Sequence, residues 1–469
     1  MFVNRERELT FLNQHYTTGQ SELLVVYGRR RVGKTDLLRQ FCTDKPHIFF
    51  IADLGAEENL LADFTRQISA HFVGEPTLLA PFTTWESAFA YIASQTNERL
   101  IVVIDELTYL ITGNSAFPSI LQKSWDTRLS MTPILLALSG SYIGMMEQSV
   151  LSYRSPLYGR RTGQWRLQPF SFWDAQKMLP ELSTDQLVHV YAILGGMPAY
   201  LRQYNVQMSL LDNVDQRVLA PGAFLHDEPR FLLLQELRDP NRHFAILAAI
   251  ANGRTRSNEI AQASGLAATS VTFYLKTLQD IGLIARMTPA TEPNPERSKQ
   301  GVYLISDPFF RFWFRFVYPN RSLLERGETA PIRQKVEAEL EQFTGPVFES
   351  ICRDYIWRRH SAGELGFAPQ AVGGWWNRQA EIDLMAVGAE DCLLGECKWT
   401  AKPVGVNILE ELIQKSLAVQ RVTPGKRIHL ALFARSGFTP MLQERAQNDG
   451  VLLVDLPELT ADTDESISR

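Results

Sequence analysis

Leu23-Leu-Val-Val-Tyr27 runs directly into Gly28-Arg-Arg-Arg-Val-Gly33-Lys34-Thr35, and this stretch decides the fold. The apolar run is too short for a buried helix and reads as a strand covered on both faces. The residues behind it fit G-x-x-x-x-G-K-[ST], and helical spacing resumes from Lys34 to Cys42. Strand, loop and helix together make a cradle of backbone N–H groups at a helix N-terminus, where negative charge is favoured. Gly28, Arg31, Val32 and Gly33 shape the cradle, Lys34 would reach the terminal phosphates of a nucleotide, and Thr35 would ligate Mg²⁺.

Working outward, His47 to Ile51, Leu100 to Ile104 and Ile134 to Leu138 are further short apolar runs separated by helical stretches such as Leu60 to Phe72. That alternation predicts a parallel sheet with helices on both faces. Leu100-Ile-Val-Val-Ile-Asp105-Glu106 delivers two carboxylates to the C-terminal edge of such a sheet, where ligands bind. Asp105 is expected to hold Mg²⁺ through water, and Glu106 to orient or deprotonate the attacking water. Ser139-Gly-Ser141 ends the next strand, so its hydroxyls would sit beside the γ-phosphate and Glu106; Ser141 reads equally well as a helix cap. Arg160 and Arg161 precede an expected strand over Gln164 to Leu167 and fit either an arginine finger or a solvated basic turn.

Taken together, Phe2-Val-Asn-Arg-Glu-Arg-Glu-Leu, the phosphate loop, Asp105-Glu106, Ser139-Gly-Ser141, Leu157-Tyr-Gly-Arg160-Arg161 and Gly195-Gly-Met-Pro198 resemble the archaeal-type ATPases of the AAA+/STAND superfamily. The likeness covers roughly Met1 to Gln203. It implies ATP and Mg²⁺ as cofactors, a helical lid with Pro198 near the nucleotide, and Asn4 and Arg5 near the adenine and ribose. It also implies that Arg160 or Arg161 acts on a neighbouring subunit, and hence a homo-oligomer.

Asn241 to Ala251, Arg256 to Gly265 and Ala268 to Ile281 read as three helices, followed by strands over Gly282 to Thr288 and Gly301 to Ile305. This is the pattern of a winged helix-turn-helix with Ala268 to Lys276 as its recognition helix. That helix carries one lysine, Lys276. Phe231 to Ala330 holds twelve Lys and Arg against nine Asp and Glu, so DNA contact and protein contact both stay open.

Farther on, Asp383 and Glu396-Cys-Lys398 end two apolar strands joined around Gly388 to Asp391. Residues two apart on a strand share a face, so Glu396 and Lys398 point together, and Asp383 on the neighbouring strand can meet Glu396. The two carboxylates and the Cys397 carbonyl would hold Mg²⁺, with Lys398 beside the water and Glu349 supplying a third acid from an upstream helix. Gln414-Lys415 is a candidate basic contact. The arrangement resembles the PD-(D/E)XK nuclease fold and, with Val372-Gly-Gly-Trp-Trp376, the domain of unknown function often fused to these ATPases. Double-stranded or branched DNA is the implied partner. Two alternatives remain: such a fold used only for binding, within a STAND-like signalling switch, and accidental surface charge.

The chain has 469 residues, 45% hydrophobic and 21% charged, with a net charge of −5. That is too long for one core and too well balanced for a disordered chain or a polybasic coat. Residues 330–469 hold fifteen Lys and Arg against twenty Asp and Glu, a balance that works against phosphate binding by the last domain. Cys42, Cys352, Cys392 and Cys397 form no disulfide or zinc pattern, and the eight scattered histidines pair with no Ser or Cys motif. With neither an apolar signal core nor a membrane-length run, the expectation is a cytoplasmic protein that avoids membranes. The aromatic stretch Phe309 to Tyr318 is expected to form an interdomain core. The predicted architecture is α/β: a P-loop core over 1–173, a helical lid over 174–237, a winged helix-turn-helix with a connecting helix over 238–330, a PD-(D/E)XK-like domain over 331–457 and a solvated tail over 458–469.

Overall fold

In the computed structural model, which describes residues 2–237 and 239–461, the chain divides into two compact units. The first runs to Pro169 and regains Met197–Ala199; the second comprises Phe170–Gly196 and the chain from Tyr200 onward.

The first unit is a five-stranded, all-parallel sheet. Its strands are β1 (Glu22–Tyr27), β2 (His47–Ile51), β3 (Leu100–Asp105), β4 (Ile134–Gly140) and β5 (Gly163–Arg166), in the order β2-β3-β4-β1-β5. β1, β3 and β4 are buried at every position, which is why they read as unbroken apolar runs, whereas edge strand β2 alternates. Helices Glu57–Phe72, Trp85–Gln95 and Phe117–Thr127 cover one face through Phe64, Trp85, Phe89 and Phe117. The adjacency of β1, β4 and β3 brings the ends of all three strands to one sheet edge.

In the second unit, helices Pro240–Ala251, Ser257–Ser264 and Ala268–Asp280 precede the antiparallel pair β6 (Ile284–Met287) and β7 (Val302–Ile305), the winged pattern expected from the sequence. A second sheet follows: β8 (Pro369–Trp376), β9 (Glu381–Gly388), β10 (Asp391–Lys398), β11 (Arg427–Ala434) and β12 (Leu452–Asp455), ordered β12-β11-β10-β9-β8. β8, β9 and β10 are antiparallel. β10, β11 and β12 are parallel and are joined by helices Val406–Gln420 and Pro440–Asp449. The 32-residue helix Ala330–Ser361 packs against β8, β9 and β10.

The aromatic stretch is interior: Phe309, Phe310, Phe312, Trp313, Phe314 and Phe316 are all buried. Its two arginines find partners at the edge of that core. Arg311 donates to the Phe343 carbonyl and stacks on the Phe343 ring, and Arg315 pairs with Glu339 at 2.8 Å.

Two boundaries differ from the expected ones. The expected lid over 174–237 does not stand alone: apart from Met197–Ala199, which join the first unit, it groups with the C-terminal elements. The last domain also runs past residue 457. Helix Leu456–Thr460 buries Leu459, whose carbonyl accepts from Trp173 Nε1 at 3.0 Å, so the folded domain extends through this helix; residues 462–469 of the expected tail lie outside the described residues. No helix among the described residues is long and apolar enough to cross a membrane.

Candidate functional site

Strand β1 ends at Tyr27, and the loop after it alternates backbone handedness, with Arg31 at φ 69° and Gly33 at φ 96°. Left-handed positions are costly for side-chain-bearing residues and free for glycine, so Gly33 is the natural junction into helix Lys34–Cys42. Lys34 is buried. Its Nζ donates to the Gly28 and Arg29 carbonyls at 3.0 and 3.1 Å and to Ser141 Oγ at 2.8 Å. Thr35 Oγ1 donates to Asp105 Oδ2 at 2.6 Å.

Asp105, fully buried, ends β3, and Glu106 follows at φ 55°. Ser141 joins the two halves of the site. Its Oγ donates to Glu106 Oε1 and its N–H lies 3.3 Å from Glu106 Oε2, while the same Oγ accepts from Lys34. The helix that follows is capped at Tyr142 without a side-chain bond, so Ser141 is not its cap. Ser139, within β4, is buried, and its hydroxyl has no partner among the described residues. Thr35 and Asp105 are hard oxygen donors in hydrogen-bond contact, the donor chemistry that Mg²⁺ takes.

Other expected residues lie at local partners. Arg160 grips Asp126 with Nε and Nη2 at 3.2 and 3.1 Å, and Arg161 donates to the Leu151 carbonyl at 2.8 Å. Arg5 places its guanidinium against the phosphate loop, 3.0 Å from the Val32 carbonyl. Pro198 opens the short helix Pro198–Leu201. The Gly196 backbone is pressed against Phe170, whose N–H donates to the Gly196 carbonyl at 2.7 Å; a Cβ on Gly196 would overlap the Phe170 carbonyl.

Residues 2–204 match the ATPase domain predominantly from Archaea. An uncharacterized protein of Methanocaldococcus jannaschii is 35% identical to the chain over 401 residues, covering 85% of this chain and 88% of that protein. The chain belongs to this archaeal ATPase family. An uncharacterized ATP-binding protein of the same organism is 49% identical over 45 residues, 10% of this chain and 76% of its own. Among solved structures, the Walker-type ATPase of Pyrococcus abyssi is similar at 23% identity and a TM-score of 0.47, covering 67% of this chain and 96% of that one. Within the archaeal ATPase, residues 241–287 match the IclR helix-turn-helix domain and residues 313–411 match archaeal and bacterial proteins of unknown function. The enzyme is thus an ATPase with a P-loop core, a helix-turn-helix and a separate α/β domain.

The second cluster lies in that α/β domain, where β9 and β10 part. Their pairing runs to Leu384 opposite Gly395, and β9 then continues beside β8 alone. At the fork, Asp383 Oδ2 accepts from the Cys397 N–H at 2.9 Å. Glu396, almost wholly buried, takes Lys398 Nζ at 2.8 Å and Lys415 Nζ at 2.9 and 2.8 Å. Arg353 donates to the Asp383 carbonyl at 2.9 and 2.8 Å and to Glu349 Oε2 at 2.9 Å, tying the upstream acid to the fork.

Burial, then the charge of Glu396, raises the Asp383 carboxyl; the Cys397 N–H, Lys398 and Lys415 pull it back. Burial, then Asp383, raises Glu349 to about 7, against Arg353. Burial opposes the Lys398 charge, but the hydrogen bond and charge of Glu396 outweigh it, so the ammonium is held above its ordinary value. Asp383, Glu396 and Lys398 therefore come together as their spacing suggested. However, among the described residues no group of three His, Cys, Asp or Glu side chains is arranged to hold a metal, and Glu349 is engaged by Arg353. Arg353 was missed, although its position four residues after Glu349 on a helix is a signal the sequence carries.

Proposed function

We propose that ATP binding and hydrolysis at the phosphate loop control the C-terminal domain, and that this domain is a PD-(D/E)XK-type, divalent-metal-dependent nuclease acting on double-stranded or branched DNA. One residue carries the control. The Arg435 N–H donates to the Lys398 carbonyl at 3.1 Å, and its guanidinium pairs with Asp185 of lid helix Thr184–Leu194 and with Glu341 of the long helix. The guanidinium also lies 4.6 Å over the Trp399 ring, next in sequence to Lys398. Tied in this way, a lid displaced by nucleotide would carry the C-terminal domain, with Glu396 and Lys398, along with it.

For the ATPase step, Lys34 would neutralise the terminal phosphates, Thr35 and Asp105 would hold Mg²⁺, and Glu106, oriented by Ser141, would accept the proton of the attacking water. Arg160 and Arg161 are candidates to act on a second copy, which makes the working form a homo-oligomer. For the nuclease step, Asp383 and Glu396 would be the residues to hold a divalent ion, with Glu396 released by Lys398 and Lys415, and such an ion would supply Lewis-acid chemistry. On a strand a residue's N–H and C=O face the same neighbour, so the Cys397 carbonyl is turned to the Asp383 side; the Lys398 carbonyl faces β11. Lys398 then stabilises developing phosphate charge.

DNA would be read by the exposed side of helix Ala268–Asp280, with Thr269, Thr272, Phe273 and Lys276. The wing is occupied at its root. The Ala290 N–H donates to the Gly374 carbonyl at 2.9 Å, Trp375 Nε1 donates to Thr291 at 3.1 Å, and Arg286 is spent on the carbonyls of Pro295 and Ser298.

A second reading, a STAND-like switch whose C-terminal domain only binds partners, is favoured by the saturation of Glu396 with two ammonium groups. The two readings separate when the enzyme is incubated with linear and branched duplexes, Mg²⁺ or Mn²⁺, with and without ATP. Cleavage lost in Asp383→Ala and Lys398→Ala, with ATP hydrolysis retained, supports the nuclease; no cleavage by the unmodified enzyme under any condition supports the switch.

A further inference from the structure

Arg5 has a structural peculiarity that the motifs do not explain. It stands at φ 80°, with Asn4 before it at φ 59°, immediately ahead of helix Glu6–Thr17. Non-glycine residues held left-handed carry strain, and strain persists where the surroundings over-determine it. Here the surroundings are specific. The residue is only 6% exposed, and its guanidinium donates from Nη1 to Glu8 Oε1 at 3.0 Å and from Nη2 to the Val32 carbonyl at 3.0 Å, across 27 residues of sequence.

Val32 sits inside the phosphate loop, between left-handed Arg31 and left-handed Gly33. No peptide bond among the described residues is cis, so the Val32 carbonyl and the Gly33 N–H point in opposite directions. Fixing the carbonyl on the Arg5 side therefore fixes the Gly33 N–H on the other. That N–H heads helix Lys34–Cys42, where unsatisfied amides and the helix dipole favour phosphate. Alternating handedness around it makes an anion-binding concavity, whose depth depends on each peptide plane staying put.

We propose that Arg5 is a positioning residue of the ATP site: by holding the Val32 carbonyl it keeps the Gly33 N–H aimed at the nucleotide phosphates. Glu8 balances its charge and orients its fork, so Arg5 acts through the loop backbone rather than as a phosphate ligand. The inference rests on the ATP site alone and is independent of the nuclease reading.

The test uses the full chain with Arg5→Met, which keeps the apolar stem and removes the donors, and Arg5→Lys, which keeps one donor and the charge. Equilibrium binding of ATP and of inorganic tripolyphosphate is measured beside steady-state hydrolysis, with active-site titration fixing the folded fraction. Loss of one well-aimed, charge-assisted donor predicts about tenfold weaker ATP binding for Arg5→Met. KM should rise in proportion and kcat stay within about twofold, because Lys34 and Glu106 are untouched. Tripolyphosphate should weaken by the same factor, and Arg5→Lys should recover most of the loss. ATP binding that weakens while tripolyphosphate binding does not would place Arg5 at the base and overturn the proposal. Unchanged affinity in Arg5→Met, or a fall in kcat at constant KM, would overturn it equally.

Discussion

Glu349→Gln keeps the shape of the side chain and an acceptor for Arg353 Nη2, now 2.9 Å away, while removing one charge from the fork of β9 and β10. Burial, with Asp383 and Glu381 adding repulsion and Arg353 opposing, raises the Glu349 carboxyl from 4.5 to about 7. An acid whose folded pKa lies above its unfolded one stabilises the fold while protonated. That stability is complete below the unfolded pKa and is lost as pH rises through about 7. The shift corresponds to a ceiling of about 3 kcal/mol at about 1.4 kcal/mol per unit, and the 29% exposure of the side chain lowers the expectation to about 1–2 kcal/mol. Thermal unfolding of both proteins in metal-free buffer reads this directly. At about pH 8.5 the variant should melt later, by about 2–4 °C for each kcal/mol in a domain of this size, and at about pH 5 most of the difference should vanish. A difference of equal size at both pH values, or a less stable variant at alkaline pH, would refute the placement of a half-buried, charge-strained acid at this fork.

Lys34→Ala should lose ATP affinity, and Glu106→Gln should bind ATP yet hydrolyse it about 10²–10⁴-fold more slowly, as read by equilibrium binding and phosphate release. Gly196→Ala should lower the melting temperature by the equivalent of at least about 2 kcal/mol, because the new Cβ meets the Phe170 backbone rather than a side chain that can swing away. Arg435→Ala should cost about 2–3 kcal/mol of stability through lost charge-assisted bonds to Asp185 and Glu341 while leaving ATP binding intact, as measured by calorimetry.

The phosphate loop and the carboxylate-tipped strand were legible because their chemistry is local: the spacing Gly28 to Thr35 and the run Leu100 to Glu106 state both residue types and backbone context. The meeting of Asp383 with Glu396 was legible for the same reason, since one tight hairpin fixes the register. What stayed hidden depends on pairs with no local spacing. Lys34 meets Ser141 because β1 and β4 are neighbours, 107 residues apart in sequence. Arg435 meets Asp185 across 250 residues, and this contact helps explain why the lid segment groups with the last domain rather than standing apart. Lys415 was visible only as a basic residue on the next helix; its double contact with Glu396 required the crossover that lays Val406–Gln420 over β10. Resemblance places Arg5 near the adenine and ribose, and only the folded loop reveals the Val32 carbonyl it holds.

The proposal that ATP controls the C-terminal domain requires nucleotide state to move the lid and that domain together, relative to the P-loop core. Spin-label distances test it most directly, since the four native cysteines are buried and labels can be confined to introduced ones. One pair, Gln14→Cys with Gln443→Cys, joins the core to the C-terminal domain; another, Glu181→Cys with Gln443→Cys, joins the lid to that domain, and all three positions are exposed. In a Glu106→Gln background, the account predicts that the first distance changes between the ADP and ATP states while the second stays fixed. A first distance indifferent to nucleotide, or a second that changes with it, would contradict the account.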